Sequence, residues 1–419
     1  MEPKEIKAFI QKQRESVRKS SLPLKAIRVI DLGAVVAAPY AATLLGDFGA
    51  EVIKIEPPKV PDAIRSWATV EGKYQPFWLV ASRNKFPITL NLKHPLGKKM
   101  FTQLIERSDV LFENMRPGIL DRLGFPAEKL FEINKGLIIG RISGYGQTGP
   151  YASKPGFGTL AEAMSGFTYK NAQPGSPPTN PPLPLADLVA GVHLALGVMI
   201  ALREQKRGDK GGQEIDLSLY EPIFSFLGAD FLLYTLTGEI AEPMGNEMNF
   251  TAPRNSFQTK EGKWVALSAS AQAPYERLMG LVGHPELKTA PGFRTNEERI
   301  QKENRQVLNR IIGGWIRSKT LKEVLEECER AEVTIGPIYN MKDIANDPHV
   351  KERGSVRAVY DPASGRTFSM PAVPIRLLQT PGEIRFPGLP MGSANEVIYQ
   401  DLLGYSVEEI HEMEANGVI

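Results

Sequence analysis

A chain of 419 residues with 42% hydrophobic and 23% charged residues is long enough for two or three domains of roughly 100–200 residues, and its composition excludes collagen-like, coiled-coil and disordered classes. Fifty Lys+Arg against 48 Asp+Glu leave +2, too near neutrality for sequence-independent binding of nucleic acid, although a local basic patch can still hold a small anion. One cysteine, Cys328, excludes an intrachain disulfide and a Cys-rich zinc site, and five scattered histidines form no HxH or HxxxH pair, so no metal site is expected and a reducing cytoplasm is the expected compartment.

Residues 1–23 are charged and lack the apolar core of a secretory signal. Residues 26–32 (AIRVIDL) form an apolar run ending at Gly33 and predict the first strand. A helix is expected over 39–48, a second strand over 51–55 (EVIKI) and a third over 88–92. Pro95 opens a helix to Glu106, and strands follow over 109–113 and 137–143. Short apolar strands alternating with helices of about ten residues describe βαβ units, so the expected fold class is α/β with a mostly parallel sheet. Such a sheet binds ligands at the carboxyl ends of its strands. There the chain reads Asp31-Leu32-Gly33, Glu113-Asn114-Met115-Arg116-Pro117-Gly118 and Ser143-Gly144-Tyr145-Gly146-Gln147-Thr148-Gly149-Pro150.

Residues 174–184 (PGSPPTNPPLP) are too proline-dense for a helix and predict an extended connector. A long apolar helix follows over 187–205. Its uncharged core, 188–202, has about 15 residues against the roughly 20 that span a bilayer, and it carries His193, so a buried helix of a soluble protein is expected and no membrane contact. Another strand fits 214–217. After about residue 238 the pattern changes: 257–259 and 264–267 flank Lys260-Glu261-Gly262-Lys263, a hairpin signal, and helices fit 275–282, 296–317 and 322–330. The expected organisation is a large domain over 1–225, a smaller α+β domain with its linkers over 226–331, and a return to the large domain over 332–419.

The first strand is followed by Gly33-Ala34-Val35-Val36-Ala37-Ala38-Pro39, which is not a GxGxxG fingerprint, and P-loop, GxSxG and HExxH motifs are missing as well. Asp187 stands between Leu183-Pro184-Leu185-Ala186 and an uncharged helix. Spacing alone favours a helix cap meeting the dipole; the same geometry also gives a fixed, poorly hydrated carboxylate able to act as a nucleophile. Three glycines in residues 144–149 fit a surface loop or backbone amides that approach a ligand. Lys93, Arg116, Arg122 and Lys154 fall on or near the strand-end loops, where together they suit a phosphorylated ligand.

These stretches, taken in order, resemble the family III CoA-transferases, the formyl-CoA transferase and carnitine CoA-transferase (CaiB/BaiF) family. The resemblance runs through Val29-Ile30-Asp31-Leu32, Gly49-Ala50-Glu51-Val52-Ile53-Lys54-Ile55-Glu56, Asn84-Lys85 and Leu90-Asn91-Leu92-Lys93. It continues in residues 109–118, Leu123-Gly124-Phe125, residues 144–151 and Asp187-Leu188-Val189-Ala190-Gly191, and more loosely in Gly336-Pro337-Ile338. It implies a Rossmann-like large domain plus a small one, in an interlocked homodimer. It implies that Asp187 is the nucleophile and that coenzyme A, a substrate rather than a resident cofactor, lies near Val36, Ala37, Leu90, Asn91, Leu92, Lys93, Asn114, Met115, Arg116, Arg122, Lys154, Gly156, Phe157 and Gly158. The implied reaction passes CoA from an acyl-CoA donor to a carboxylate acceptor through an aspartyl anhydride and an aspartyl-CoA thioester.

Three departures narrow it. The related α-methylacyl-CoA racemases place His-Asp where Phe157-Gly158 stands, and without that His one proton-transfer group is missing. Formyl-CoA transferases carry a run of glycines where this chain has Met244-Gly245-Asn246-Glu247-Met248-Asn249, and a Gln where Val36 stands, which argues against formate/oxalate exchange. Phe157, Met164, Phe167 and Met248 fit either a roomier acyl pocket or ordinary core. The alternatives are an acyl-CoA racemase or isomerase of the same fold and a CoA-binding protein without turnover.

Overall fold

A computed structural model describes residues 3–208 and 211–419. Six strands, β1 (Arg28–Asp31), β2 (Glu51–Glu56), β3 (Lys85–Thr89), β4 (Val110–Glu113), β5 (Ile138–Ser143) and β6 (Gln213–Ser218), pair in the order β3-β2-β1-β4-β5-β6, every neighbour parallel. β2 to β5 are buried along their whole length, as parallel strands covered on both faces must be. The strand order reverses between β1 and β4. Loops leaving the two strands there diverge and open a crevice at their carboxyl ends. This is the Rossmann strand order, built without the dinucleotide glycine motif.

β3 begins three residues before the expected span because Lys85 takes an interior position. Its ammonium donates to Asp31 Oδ2 at 2.8 Å and to the Pro39 carbonyl at 2.6 Å. Among the helices of this part are α1 (Pro3–Lys19), α2 (Ala37–Asp47), α3 (Pro95–Glu106), α4 (Gly158–Met164), α5 (Leu185–Gln205) and α6 (Glu221–Phe226). Two apolar cores form. One joins Met100, Phe101, Leu104 and Ile105 of α3 to Ile53, Ile88 and Leu111, and the other joins α2 and α5 to Val29, Val52 and Ile138. α2 and α5 press together at Gly191, where a Cβ would stand 2.7 Å from the Ala37 carbonyl oxygen.

α5 departs from the expected buried helix. It is long and apolar enough to cross a membrane by composition alone. One face, with Ala186, Ala190, Leu194, Val198 and Ala201, is buried against its neighbours. Val192, Leu196, Met199 and Ile200, at helical spacing on another face, are 48%, 57%, 39% and 62% exposed in the single chain. Phe226 continues this apolar surface at 66% exposure, its ring 5.9 Å from that of His193.

The chain divides into two compact units: residues up to Phe167 with Pro181–Leu232 and His349–Ile419, and Thr168–Asn180 with Leu233–Pro348. In the second unit, β7 (Arg254–Gln258), β8 (Trp264–Ser268) and β9 (Ile335–Pro337) form an antiparallel sheet beside α7 (Gln272–Leu281), α8 (Lys302–Arg317) and α9 (Leu321–Arg330). The hairpin expected around 260–263 is β7-β8. The helix expected over 296–317 is broken after Asn296–Arg299, where the buried Arg299 guanidinium donates to the carbonyls of Ala252 and Ser270. The chain rejoins the first unit at His349, later than the boundary drawn at 332, because Ile335–Pro337 pairs as the third strand with β8.

After rejoining, β10 (Val356–Asp361) and β11 (Arg366–Pro371) form a hairpin, followed by α10 (Asn395–Leu403) and α11 (Val407–Ala415). Asn395 accepts from the Thr89 amide at 2.8 Å, Tyr399 Oη donates to the Thr89 carbonyl at 2.6 Å, and the Asn91 amide donates to Val418 O at 2.8 Å. The last 25 positions thus fix the carboxyl end of β3.

Candidate active site

The crevice at the β1/β4 reversal is a cavity of about 480 Å³, lined by Ala34–Ala37 at the head of α2, Asn114 after β4, Ile142–Gly144 at the end of β5, Gly156–Thr159 entering α4, Pro184 before α5 and Asp187 on it, and Leu219 after β6, with Ala63 and Trp67 from the 57–68 loop. Val36, Ala37, Asn114, Gly156, Phe157, Gly158 and Asp187, chosen from sequence, therefore meet in one place.

Asp187 is the third residue of α5, not its cap: Pro184 precedes the helix and offers no side-chain bond. The first turn is held from α4 instead, by buried Glu162, whose Oε1 accepts the Ala186 amide at 3.1 Å. Burial first, and the Glu162 charge after it, push the Asp187 carboxyl up to about 6, against a bond from its own amide that acts the other way. Gly158 makes this arrangement possible, because a Cβ there would lie 2.1 Å from Asp187 Oδ2. The Asp187 carboxylate thus rests against bare backbone. The two loops framing it also touch through glycines, a Cβ on Gly144 coming 2.7 Å from Gly156 Cα. Among the described residues the amides of Val36, Ala37 and Gly158 have no protein acceptor, and neither has the buried Ser143 hydroxyl.

The remaining candidates lie outside the cavity. Leu90 and Leu92 are buried in the sheet core, so only their backbone can meet a ligand. Asn91 holds its own loop, accepting from Lys93 N at 3.0 Å and donating to Gly417 O at 3.2 Å. Met115 packs partly against the α3-side core. Lys93, Arg116, Arg122 and Lys154 are exposed. The Arg122 guanidinium folds back over Gly118, and Lys154 Nζ sits 3.7 Å above the Tyr151 ring. Asn114 lines the cavity yet spends both ends of its amide on Ala34, accepting at 2.7 Å and donating at 2.8 Å. Gly146, buried, and Gly149, exposed, both adopt left-handed turns, and Asp216 accepts the Gln147 amide at 3.0 Å. Of the proposed acyl-pocket residues, Phe157 is 70% exposed and Met164 is exposed, so neither is core, while Phe167 packs on the α2/α5 side.

Sequence reasoning did not single out Glu162 or Trp67, and it named Ser143 only as the first residue of a strand-end loop. Glu162 carried a signal, an isolated carboxylate inside Leu160-Ala161-Glu162-Ala163-Met164, whereas Trp67 and Ser143 carried none beyond following a strand end.

Residues 24–395 match the CoA-transferase family III. The chain is 39% identical over 403 residues to the succinyl-CoA–L-malate CoA-transferase beta subunit of Chloroflexus aurantiacus, covering 96% of this chain and 99% of that one. It is 37% identical over 398 residues to the succinyl-CoA–D-citramalate CoA-transferase of the same organism, covering 95% and 98%. Its fold matches the crystal structure of a CaiB/BaiF family protein from Brucella suis with a TM-score of 0.80 at 27% identity, over 91% of this chain and all of that one. The six-stranded parallel sheet, the crevice at its reversal and these full-length similarities make the chain a member of the family III CoA-transferases, and hence an enzyme that transfers CoA between acyl groups.

Proposed function

We propose that this enzyme moves CoA from an acyl-CoA to a free carboxylate through covalent intermediates on Asp187. The observation that carries the reading is a partly desolvated carboxylate set against the bare backbone of Gly158 in a cavity edged by unpaired amides. An Asp187 oxygen adds to the thioester carbonyl, the C–S bond breaks, and CoA leaves as thiolate from a mixed anhydride. The thiolate then attacks the aspartyl carbonyl, releasing the first carboxylate and leaving an aspartyl-CoA thioester. An acceptor carboxylate adds to that carbonyl and expels the thiolate, which takes the acceptor's acyl group from the second anhydride and frees Asp187. One thioester replaces another, so no net energy source is required. The oxyanion of each addition needs hydrogen-bond donors, for which the Val36, Ala37 and Gly158 amides are the candidates; such a donor is typically worth about 3–4 kcal/mol.

Both named relatives use succinyl-CoA, so we take succinyl-CoA as the first donor to test, with malate and citramalate among the acceptors. Incubation without acceptor should add mass to Asp187, and an acceptor should yield its CoA ester. Deuterium exchange at the substrate α-carbon without an acceptor would point to a racemase instead, and neither result to a binder without turnover. We assign the reaction to the cytoplasm.

CoA carries a 3′-phosphate and a pyrophosphate, and we propose that Arg116 or Arg122 pairs with one of them. Losing a charge-assisted phosphate contact costs about 1.5–3 kcal/mol, roughly 10- to 150-fold in affinity. Calorimetric titration of Arg116→Ala and Arg122→Ala with CoA and dephospho-CoA checks this. At least one variant should bind CoA more weakly, with a smaller loss for dephospho-CoA if the 3′-phosphate is the partner and at high salt. Unchanged affinity in both variants would rule out this placement.

We also propose the interlocked homodimer. The exposed face of Val192, Leu196, Met199, Ile200 and Phe226 is the kind of contiguous apolar surface that soluble monomers seldom present. Interlocked chains cannot separate without unfolding, so no folded monomer should appear on dilution. A compact 46.3 kDa species in sedimentation at nanomolar concentration would contradict it.

A further inference from the structure

Val35 has φ +65°, in the left-handed region that a β-branched residue rarely enters. It stands on the cavity wall immediately before Val36 and Ala37, at the head of α2. Strain of this kind persists only where the surroundings over-determine the backbone. Here they do. Asn114 clamps Ala34 on one side. On the other, the Val35 amide donates to both oxygens of Asp62, at 3.1 and 3.2 Å.

Asp62 is itself immobilised. Its amide donates to Glu56 Oε1 at 3.0 Å, and its carboxylate accepts from the Ile64 amide at 3.2 Å and pairs with Lys54 Nζ at 3.2 Å. Lys54 is buried, and the same ammonium donates to the Gly33 carbonyl. One cation thus ties both ends of the Gly33–Val35 turn, through Gly33 directly and through Asp62 to Val35. Neither Asp62 nor Lys54 lines the cavity. We propose that Asp62 is a positioning residue: by holding Val35 left-handed it aims the Val36 and Ala37 amides at the carbonyl that Asp187 attacks. The inference rests on the nucleophile reading above.

Three variants separate this role from simple neutralisation of Lys54. Asp62→Ala removes both the acceptor for the Val35 amide and the charge. Asp62→Asn keeps an acceptor but not the charge. Asp62→Ala/Val35→Gly keeps neither, yet glycine adopts the left-handed turn without strain. The readouts are kcat and KM for CoA transfer from succinyl-CoA, the single-turnover rate at which Asp187 gains mass, and circular dichroism for the fold. Asp62→Ala should lower kcat by about 10- to 100-fold, less than the roughly 10²–10³ lost when an oxyanion donor is removed outright, with KM little changed. Asp62→Asn and the double variant should recover most of that loss. A wild-type rate in Asp62→Ala overturns the proposal, as does a slow Asp62→Ala enzyme that neither of the others restores. Should Asp62→Ala not fold, a slow Asp62→Asn enzyme overturns it and a fast one supports it. If wild-type enzyme gains no mass on Asp187, the nucleophile reading fails, and the steady-state rates of the same variants still decide whether Asp62 aims the loop.

Discussion

Asp187→Ala and Asp187→Asn should abolish CoA transfer while leaving CoA affinity largely intact. Asparagine keeps the shape but cannot form an anhydride, so the loss should be on the order of 10⁴-fold or more, the scale of nucleophile deletions in covalent enzymes. Turnover at the wild-type rate in either variant would sink the covalent mechanism. In the wild type, activity should fall as pH drops through about 6, where the carboxyl takes up its proton. The stability effect has the opposite sign. A carboxyl raised from 3.8 to about 6 binds its proton more tightly in the folded state, so its contribution is most favourable below about 3.8 and is lost as pH rises through 6. Two units correspond to about 3 kcal/mol, and partial exposure of Asp187 reduces this to about 1–2 kcal/mol. Asp187→Asn should therefore melt higher than wild type at pH 7, and thermal melts at pH 4 should bring the two together.

Gly158→Ala should cost about 100-fold in activity, less than loss of the nucleophile, without touching the chemistry of any reacting group. Its Cβ would stand 2.1 Å from Asp187 Oδ2 and 3.3 Å from Cγ, so something has to move. The carboxylate is the mobile party, being the end of a two-torsion side chain, whereas α4 and α5 are held by their cores. It swings off the position it needs for attack. A misplacement of about 1 Å is worth about 100-fold in rate, so kcat should fall by that order with CoA affinity and far-ultraviolet dichroism close to wild type. Gly158→Asp should be worse, because a second carboxylate against the first opposes its ionisation. Steady-state kinetics of the alanine variant is the cleaner check. A wild-type kcat there means that the carboxylate reacts from an orientation other than the one seen against Gly158.

What could be read from the sequence was the part written in uncharged runs. β1, β2, β4 and β5 stood out because strands covered on both faces are mostly apolar at successive positions, whereas β6 offered only Ile215 and Leu217 among polar neighbours; the topology then located the crevice without any side-chain information. β3 slipped because its first residue is Lys85, which a reader places in solvent and the fold places against Asp31. Lys54 and Asp62 were invisible as a pair for the same reason: a buried ion pair leaves no periodicity. The two faces of α5 could not be told apart, since its residues are apolar on the face against the core and on the face left open alike. Asp187 was legible as an oriented carboxylate, but its partner in orientation, Glu162, sits on a different helix, and sequence distance hides that contact.

The closure of β3 by the last residues of the chain has a consequence for biosynthesis. Thr89 and Asn395 bond to each other across 306 positions, and Phe86 and Ile88 share a core with Phe386, Val397 and Ile398. At about 5–20 residues per second, a ribosome takes roughly 15–60 s to span that distance. Throughout that interval the nascent chain displays the outer edge of its sheet, with an apolar side awaiting cover. The second unit, most of it the continuous stretch Leu233–Pro348, emerges whole within the same interval and has its own core to close around. The second unit can thus close its core before the β3 edge of the parallel sheet is covered.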